Sequence, residues 1–441
     1  MGQRGKPKPI AERRGDGEFP WSVKIPTLER TASGQVRYIR SSGWADEDAA
    51  LAHGWLQMAK LRTGTWTDPR KAATPLADWV KIWMDAQSHS TRTASTRRRY
   101  LRNHILPEFG ETPIGQINRF AVRTWASRMT CAEVTRNNVV SLLSTILSAA
   151  DDADMIDTNP IFRLRLTKSG AQRVQVMQTD EDVWALPEQS VPIARRLWDA
   201  GRRSDALMVL TAAFVGLRYG ELTGLHVDNC CLIRRDELGG KPWMRYVIRI
   251  DPERGSLHET TELDAEGVER TVLFLEPPKP PNGAREADVP EFLAQLLIPH
   301  CARVRERAEG LAKDDPARGI VFTTPRGCLW RRSNWSGVMR PACDGREARP
   351  RQQGTAGSPA WEPLIPRLTL HGLRHGHSTA MEEDEIADVL RDQVMGHELP
   401  KERRAIRKRY THVSAVMRSK RLDALAARWE KAGGLILDAA A

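Results

Sequence analysis

One tyrosine of this 441-residue chain stands in a stretch that carries almost only positive charge. Tyr410 belongs to "RKRYTHVSAVMRSKR", residues 407–421, and the chain has four other tyrosines. A phenol is a poor nucleophile at neutral pH because its ordinary pKa is about 10. Flanking cations lower that pKa and also attract phosphate. The stretch therefore fits either a phosphate-directed nucleophile or a solvated basic helix that happens to contain a tyrosine.

Three further short stretches contain residues that bind phosphate or transfer protons. In "GLRYGEL", Arg218 follows an apolar run and Glu221 lies three residues later. In "HGLRHGHS", His371 and Arg374 are three residues apart, so on a helix they share a face and can converge on one ligand. In "VMGHELP", His397 follows a glycine. Each stretch taken alone is more often structural than catalytic.

The order of these residues along the chain carries more information than any one of them. Arginine, HxxR, GH and tyrosine in this order resemble the catalytic signature of the tyrosine recombinase (phage integrase) family. The resemblance extends to "STRRRYLRNHILPEFGETPIGQIN", "GLRYGELTGL" and "RRSNWSGVMRPA", and it covers residues 74–425. It implies a site-specific recombinase that cleaves and rejoins DNA through a 3′-phosphotyrosine intermediate, with no metal, ATP or other cofactor. Such an enzyme integrates a mobile element, a phage or another integrating element, and could also excise it.

The chemistry of strand exchange explains this set of residue types. Attack by Tyr410 conserves the energy of the phosphodiester bond in a covalent ester, which a DNA 5′-hydroxyl can later reverse. The resemblance assigns Arg218 and Arg374 to the phosphate, because guanidinium groups bind phosphate bidentately and remain charged. It gives His371 the role of accepting the Tyr410 proton or orienting the phosphate. His397 would add a hydrogen bond to the same phosphate.

Two further residues complete the predicted site. Glu221 is expected to hold Arg218 in position rather than to react. The family uses a lysine in a β-hairpin turn as the general acid for the leaving 5′-oxygen, and Lys279 in "PPKPP" occupies that place, with Lys241 as the alternative. The surrounding prolines are unusual for that turn. The interval of thirteen residues between the GH histidine and the tyrosine is longer than in many relatives and indicates a small insertion.

Other functions explain parts of the pattern. His371 and His375 form an i,i+4 pair that could ligate zinc in a metal-dependent nuclease or hydrolase. However, no acid has the HExxH placement, and the neighbouring cations would repel a metal ion. A non-enzymatic DNA-binding regulator fits the basic charge but leaves the order of the four stretches unexplained. A type IB topoisomerase shares the chemistry, but the separate helical and N-terminal segments favour a recombinase.

The charge of the chain suits a polyanionic partner. Its formal charge is +11 and its pI about 9.6, and Lys and Arg cluster in residues 1–14, 91–103 and 401–421. Several contact surfaces along double-stranded DNA would each release counterions. The predicted DNA-contacting residues are Arg97, Arg98, Arg99, Arg102, Arg407, Lys408 and Arg409. The family resemblance implies a homotetramer on DNA, and it leaves a place for an excision factor or a host DNA-bending protein.

Cysteine usage and hydropathy bear on the compartment. The six cysteines show no repeated CxxC spacing and are too sparse for a disulfide scaffold, so reduced thiols in a cytoplasmic protein are expected. The N-terminus lacks the apolar core of a signal peptide. The longest apolar run, "ALMVLTAAFVGL", has 12 residues, too few to span a bilayer. We expect a cytoplasmic protein that associates with the nucleoid when it acts on DNA, and no membrane partner.

Several structural elements are needed to position these residues. We predict a small N-terminal α+β module over residues 1–65, similar to arm-type DNA-binding domains, since "WSVKI" and "GQVRYIR" alternate as strands do. Residues 74–165 predict a helical, SAM-like core-binding domain. Its first helix is expected to be capped by Thr74 and to begin at Pro75. Residues 178–441 are expected to form a mixed α/β catalytic domain with a C-terminal tail.

Apolar patterning describes the catalytic domain further. "DALMVLTAAFVG" is apolar on all sides and predicts a buried helix that ends at Gly216. "MRYVIRI" and "RTVLFLE" predict strands separated by an acidic loop over residues 251–270, and "PPKPPNGAREADVP" predicts a turn and a third short strand. Helices resume after this strand. The predicted fold class is therefore mainly α with small antiparallel β-sheets.

Overall fold

The computed structural model shows a chain that divides into two units, Met1–Arg173 and Val174–Ala441. It describes residues 7–63, 68–88, 91–166, 183–263, 268–278, 283–350, 357–396 and 412–434. No helix within these segments is long and apolar enough to cross a lipid bilayer. Each unit has hydrophobic cores of its own.

The first unit begins with a small antiparallel sheet covered by one helix. Its elements are β1 (Ile10–Arg13), β2 (Trp21–Arg30), β3 (Val36–Trp44) and α1 (Glu47–Thr63). The strands lie in the order β1-β2-β3. Alternate residues of β2, Val23 and Ile25, face a core that Met58 and Leu61 of α1 complete. This alternation is what one buried sheet face requires.

Helices make up the rest of the first unit. They are α2 (Pro69–Ala72), α3 (Leu76–Asp85), α4 (Thr91–Tyr100), α5 (Leu106–Phe109), α6 (Arg119–Arg128) and α7 (Glu133–Asp152). Apolar residues at helical spacing, such as Leu143 and Ile146 of α7, form a core distinct from that of the sheet. The indole N–H of Trp79 donates to the backbone oxygen of Ile146 at 3.1 Å and joins α3 to α7.

The start of α3 differs by one residue from the prediction. The helix begins at Leu76, and Pro75 precedes it in an extended conformation with ψ 143°. Pro75 forms a β-bridge with Pro113, and the N–H of Leu76 donates to the carbonyl of Thr112 at 3.0 Å. The expected Thr74 cap with Pro75 as the first helical residue is therefore wrong, because pairing with a distant segment keeps Pro75 out of the helix.

The second unit combines helices with two small antiparallel sheets. Its helices are α8 (Val191–Asp199), α9 (Arg203–Val215), α10 (Tyr219–Thr223), α11 (Glu291–Glu309), α12 (Arg332–Asp344), α13 (Leu370–Glu383), α14 (Asp388–Met395) and α15 (Ala415–Lys431). Its strands are β4 (Leu232–Leu238), β5 (Lys241–Ile250), β6 (Ser256–Leu263), β7 (Glu269–Glu276) and β8 (Arg285–Val289). One sheet has the order β4-β5-β8, and β6 pairs with β7. The prediction of a mainly helical chain with small antiparallel sheets is confirmed.

The segment before β7 is not the acidic loop that the sequence predicts. Residues 256–263 form β6, which pairs antiparallel with β7 beginning at Ser256 opposite Glu276. Leu257 of β6 is buried in a small core with Ile320. The strand is stabilised by its pairing with β7 rather than by its own hydrophobicity. Its glutamates and threonines therefore did not indicate a strand in the sequence.

Helix α9 lies at the centre of the second unit's largest core. Every residue from Asp205 to Val215 is buried, and Gly216 ends the helix in the left-handed conformation with φ 77°, which confirms the predicted end. A Cβ at position 216 would lie only 2.5 Å from Cδ2 of His377. Both the backbone conformation and the available space therefore require glycine here.

Replacing Leu143 by alanine should destabilise the first unit by about 3 kcal/mol, because the fully buried side chain leaves a cavity when it is removed. Val134→Ala on the same helix is the control: that side chain is 71% exposed, and its loss should change the free energy of unfolding by less than about 0.5 kcal/mol. Urea unfolding followed by far-UV circular dichroism measures both. If both substitutions lower the free energy of unfolding equally, the placement of Leu143 in this core is contradicted.

Candidate active site

Arg218 lies at the start of α10, where the chain leaves the buried helix α9. Its backbone N–H donates to Oε2 of Glu221 at 2.8 Å, and its Nη1 donates to Oε1 at 2.9 Å. Its Nη2 donates to the backbone oxygen of Gly396 at 3.0 Å. The side chain is 32% exposed. The guanidinium is thus held by two hydrogen bonds while part of it remains accessible.

Glu221 is the carboxylate that joins two arginines. It is 1% exposed and, besides Arg218, it accepts hydrogen bonds from Nη1 and Nη2 of Arg285 at 2.8 and 2.9 Å. Burial alone would raise the pKa of Glu221, but the hydrogen bonds and charge of Arg285, followed by those of Arg218, outweigh burial and lower it to about 2. The carboxylate is therefore ionised at neutral pH.

Arg285, the first residue of β8, is a site residue that the sequence reasoning missed. Its side chain is 4% exposed. Besides its two bonds to Glu221, it donates through Nε to the backbone oxygen of Val394 at 2.7 Å and through Nη1 to that of Gly283 at 2.9 Å. The strand that it opens reads READV, so Arg285 stands beside Glu286 and Asp288, and the local sequence carries no signal that marks this arginine as part of a buried ion pair.

Arg374 on α13 supplies a third guanidinium. It is 4% exposed and donates through Nη1 to the backbone oxygen of Gly216 and through Nη2 to that of Met395. Burial, followed by the positive charge of Arg218, lowers the pKa of Arg374 to about 9. The group is still protonated at pH 7, but in surroundings that disfavour its charge.

The three arginines converge on the end of one short helix. The backbone oxygens of Val394, Met395 and Gly396, at the C-terminal end of α14, each accept a hydrogen bond from a different arginine. A helix C-terminus leaves its last carbonyls without partners in the helix and carries partial negative charge, so it is a favourable place for cations. This end of α14 therefore brings together arginines from three distant parts of the chain.

The charges of this cluster do not balance. Among the residues that the structure describes, three guanidinium groups face one carboxylate, which leaves two positive charges in a largely buried place. Uncompensated buried charge is unfavourable unless an anion pairs with it. An arginine cluster of this kind is suited to phosphate, which accepts paired hydrogen bonds from guanidinium groups.

The three histidines of "HGLRHGHS" have different surroundings. His371 and His375 are exposed, with their Nε2 atoms 3.0 Å apart and their rings edge to face. His377 is buried, with Nδ1 2.9 Å from the backbone oxygen of Ala213 and Nε2 3.1 Å from Nη2 of Arg421. Because arginine only donates, Nε2 of His377 must accept and its Nδ1–H must donate. Burial, followed by the charge of Arg421, lowers the pKa of His377, so this histidine is neutral.

Side chains that could bind a metal ion are few at any one place in the part of the chain that the structure describes. No group of three or more His, Cys, Asp or Glu side chains is arranged there to hold an ion. His371 and His375 by themselves supply two nitrogen ligands, one fewer than a catalytic zinc site takes from protein.

A second buried network attaches α15 to the same core. Asp288 of β8 is fully buried and accepts hydrogen bonds from Nη1 of Arg418 at 2.7 Å and from Nη1 of Arg245. Nη1 of Arg421 donates to the backbone oxygen of Asp288 at 3.1 Å. Burial lowers the pKa of Arg421 to about 10, so it remains charged. Through its bond to His377, Arg421 connects α15 with the helix that carries Arg374.

Several predicted site residues lie outside the described residues: Lys279, His397, Tyr410, Arg407, Lys408 and Arg409. Lys241, the alternative general acid, is exposed at the start of β5, opposite Leu238. Arg97 is half-buried, with its guanidinium 5.1 Å from the ring centroid of Trp83. Of the predicted DNA-contacting arginines that the structure describes, Arg98, Arg99 and Arg102 are exposed.

Glu221→Gln should lower the free energy of unfolding at pH 7 by about 3 kcal/mol, because it leaves buried arginine charge without its partner. The pKa of Glu221 falls from an ordinary 4.5 to about 2 in the folded chain, so the stabilisation is complete above pH 4.5 and disappears as the pH falls towards 2. The difference between wild type and variant should shrink over that interval in urea unfolding curves.

The matched control is Glu286→Gln, which removes the carboxylate of the partly exposed Arg234–Glu286 pair on the same strand as Arg285. It should cost no more than about 1 kcal/mol. A difference between wild type and Glu221→Gln that stays constant from pH 7 to pH 3 would contradict the lowered pKa of Glu221.

One segment of the chain matches a described protein family. Residues 76–130 match the N-terminal SAM-like domain of phage integrases. This segment begins with α3 and ends two residues after α6.

Similar proteins come from mycobacteria and their phages. The phiRv2 prophage integrase of Mycobacterium tuberculosis is 28% identical over 235 residues, which are 52% of each chain. The integrase of Mycobacterium phage FRAT1 is 23% identical over 287 residues, 63% of this chain and 74% of that protein. The chain thus spans about half the length of the prophage relative.

Solved structures of integrases also align with the fold. The Tn1549 transposon integrase in complex with a circular intermediate DNA has 17% identity and a TM-score of 0.48, covering 81% of this chain and 99% of that one. A lambda integrase tetramer bound to a Holliday junction has 13% identity and a TM-score of 0.44, covering 94% and 99%. The chain thus contains a segment that matches the N-terminal SAM-like domain of phage integrases, and the similar proteins named above are integrases.

Proposed function

We propose that this chain is a site-specific DNA recombinase that cleaves and rejoins DNA through a 3′-phosphotyrosine intermediate. It would integrate a mobile element and excise it by the reverse reaction. The observation that carries the proposal is the cluster of Arg218, Arg285 and Arg374 around the single carboxylate of Glu221. Its excess positive charge suits the phosphate of a DNA backbone, and the integrase relatives support the same function.

In this mechanism the scissile phosphate binds to Arg218 and Arg374. Two of the five N–H groups of Arg374 donate to backbone carbonyls, which leaves donors for the non-bridging oxygens. These fixed charges stabilise the transition state more than the ground state because negative charge grows on the phosphate during attack. His397 would donate a further hydrogen bond to the same phosphate.

The covalent step exchanges one phosphate ester for another. The Tyr410 oxygen attacks phosphorus and passes its proton to His371, the bond from phosphorus to the 5′-oxygen breaks, and that oxygen takes a proton from Lys279. In the second step a 5′-hydroxyl of another strand attacks the phosphorus and gives its proton to Lys279. The bond to Tyr410 then breaks, and the phenolate recovers its proton from His371. The phosphoester bonds balance, so no ATP is needed.

Tyr410 is favoured over Tyr219, which follows Arg218 in the chain. Burial raises the pKa of Tyr219, which keeps its phenol protonated. Its hydroxyl lies 3.4 Å from the backbone oxygen of Trp330, and the guanidinium of Arg332 lies 4.5 Å from its ring centroid. These contacts suit a structural tyrosine rather than a nucleophile.

Lys279 remains the proposed general acid. It lies six residues before Arg285, whose side chain bonds directly to Glu221 in the arginine cluster. Lys241 stands in the hairpin between β4 and β5, where nothing among the described contacts connects it to that cluster. Lys279 is therefore close in sequence to a residue of the arginine cluster, and this supports Lys279 over Lys241 as the general acid.

Double-stranded DNA is the proposed partner of both units. The exposed Arg98, Arg99 and Arg102 would contact phosphates from the helical segment 74–165, and the sheet module of residues 1–65 would bind arm-type sites. Arg407, Lys408 and Arg409 would position the Tyr410 segment on the backbone. Residues 178–441 would carry the catalytic site. We also propose assembly as a homotetramer on DNA, which the family resemblance implies, with an excision factor or a host DNA-bending protein as possible further partners.

Two alternatives use the same DNA-binding charge. A non-enzymatic regulator would bind DNA without forming a covalent bond, and a type IB topoisomerase would relax supercoils without exchanging strands between duplexes. Adduct formation separates the recombinase from the regulator, and joining of two different duplexes separates it from the topoisomerase.

Wild-type protein should form an SDS-resistant adduct with a nicked duplex that carries its attachment site, and EDTA should not prevent it. The site can be identified by sequencing DNA that the protein captures covalently. Tyr410→Phe should abolish the adduct, because phenylalanine has no nucleophilic oxygen. Tyr246→Phe is the control and should react as wild type does. An adduct formed by Tyr410→Phe, or none formed by wild type, would refute the mechanism.

Replacing Arg98 and Arg99 together by alanine should weaken DNA binding at all sequences alike. The slope of log K against log salt should fall by about one for each phosphate that the variant no longer neutralises. Lys81→Ala, an exposed lysine of α3 paired with Asp78, should leave the slope unchanged. Filter binding or fluorescence anisotropy at several salt concentrations measures the slope, and an unchanged slope in the double variant would exclude these arginines from the DNA-binding surface.

A further inference from the structure

We infer that Arg285 is a positioning residue of the site: it fixes the phosphate-binding arginines by holding Glu221 against the end of α14. The inference rests on the proposed function. Two of its hydrogen bonds go to the two oxygens of Glu221, and one goes to the carbonyl of Val394. Arg285 therefore connects the carboxylate that orients Arg218 with the helix end that receives all three arginines.

The hydrogen bonds of Arg285 distinguish its role from that of a phosphate ligand. Its Nε, both N–H groups of Nη1 and one of Nη2 have acceptors in Val394, Glu221 and Gly283, so four of its five donors are occupied. Its side chain is 4% exposed, whereas that of Arg218 is 32% exposed. Arg285 thus directs nearly all of its donors at protein groups, whereas Arg218 is partly exposed and Arg374 donates to only two backbone carbonyls.

The end of α14 is shaped to fit Arg285. Gly396 has a left-handed backbone with φ 57°, and a Cβ there would lie 3.0 Å from Nη1 of Arg285. The same glycine supplies the carbonyl that accepts from Arg218, and His397 follows it directly in the chain. A shift of Arg285 would therefore displace both the Arg218 guanidinium and the residue that precedes the proposed histidine ligand.

The bonds of Arg285 lie in the second unit, but they join segments far apart in the chain. Glu221 and Arg285 are separated by 64 residues, and Arg285 and Val394 by 109. A guanidinium is suited to this role because its planar set of donors can satisfy a carboxylate and carbonyls at once, whereas a lysine ammonium is a point charge. We accordingly expect lysine at position 285 to restore function only in part.

The test measures single-turnover adduct formation on the nicked attachment-site duplex with saturating full-length protein. Arg285→Met should slow the reaction about 100-fold, as misplaced catalytic groups do. The final adduct yield and the DNA affinity should stay within about twofold of wild type, since loss of folded protein would reduce them and misplacement would not. Arg285→Lys, which keeps the charge, should react at an intermediate rate.

Arg234→Met is the matched control. It breaks the Arg234–Glu286 pair, which also involves β8 but is partly exposed and does not contact Glu221. Its rate should equal that of wild type. If Arg285→Met reacts at the wild-type rate, or loses yield and affinity rather than rate, Arg285 is not a positioning residue.

A double variant tests whether Arg285 acts through Glu221. Arg285→Met combined with Glu221→Gln should react about as slowly as the slower single variant, because both changes remove the same interaction. If the rate of the double variant falls by the product of the two single-variant reductions, the inference is overturned. Wild-type protein that forms no adduct would overturn the proposed function together with it, whereas active wild type with an equally active Arg285→Met would overturn the inference alone.

Discussion

The carboxylate of Glu221 is the interaction on which the proposed site depends. It is buried, ionised and bonded to Arg218 and Arg285. Without it, the guanidinium groups would repel one another in a place that water hardly reaches, as the lowered pKa of Arg374 already indicates. Its one negative charge binds two of the three arginines directly and is too little to neutralise all three. The remaining positive charge makes the site suitable for phosphate.

Backbone carbonyl groups provide further hydrogen bonds that hold the three arginines. Each of the three carbonyls at the end of α14 accepts a hydrogen bond from a different arginine, and the carbonyl of Gly216 accepts a further one from Arg374. Backbone oxygens bind a cation without adding a full negative charge, so they orient the guanidiniums and leave their attraction for an anion intact. Gly216 can provide its carbonyl because glycine adopts the left-handed turn that ends α9.

The network around Asp288 explains how the C-terminal part of the chain is attached to this site. Arg418 and Arg421 place α15 on β8, and Arg421 also bonds to His377, one turn beyond Arg374 on α13. The indole of Trp429 stacks on Phe292 with centroids 4.4 Å apart, which adds an apolar contact near the other end of α15. The helix that follows the Tyr410 segment is thus held by charge and packing to the elements that carry the arginine cluster.

The sequence by itself determined the buried helix α9 and its end at Gly216, the alternating strand β2, and the order of Arg218, His371, Arg374, His397 and Tyr410 along the chain. Such features depend on local periodicity, on the conformational freedom of glycine, or on residue order, all of which can be read from one chain. Only the tertiary structure decided that β6 is a strand, that Pro75 precedes its helix, and that Arg285 shares Glu221 with Arg218. These depend on pairing between segments distant in the chain, because burial and hydrogen-bond partners are set by whichever groups folding brings into contact.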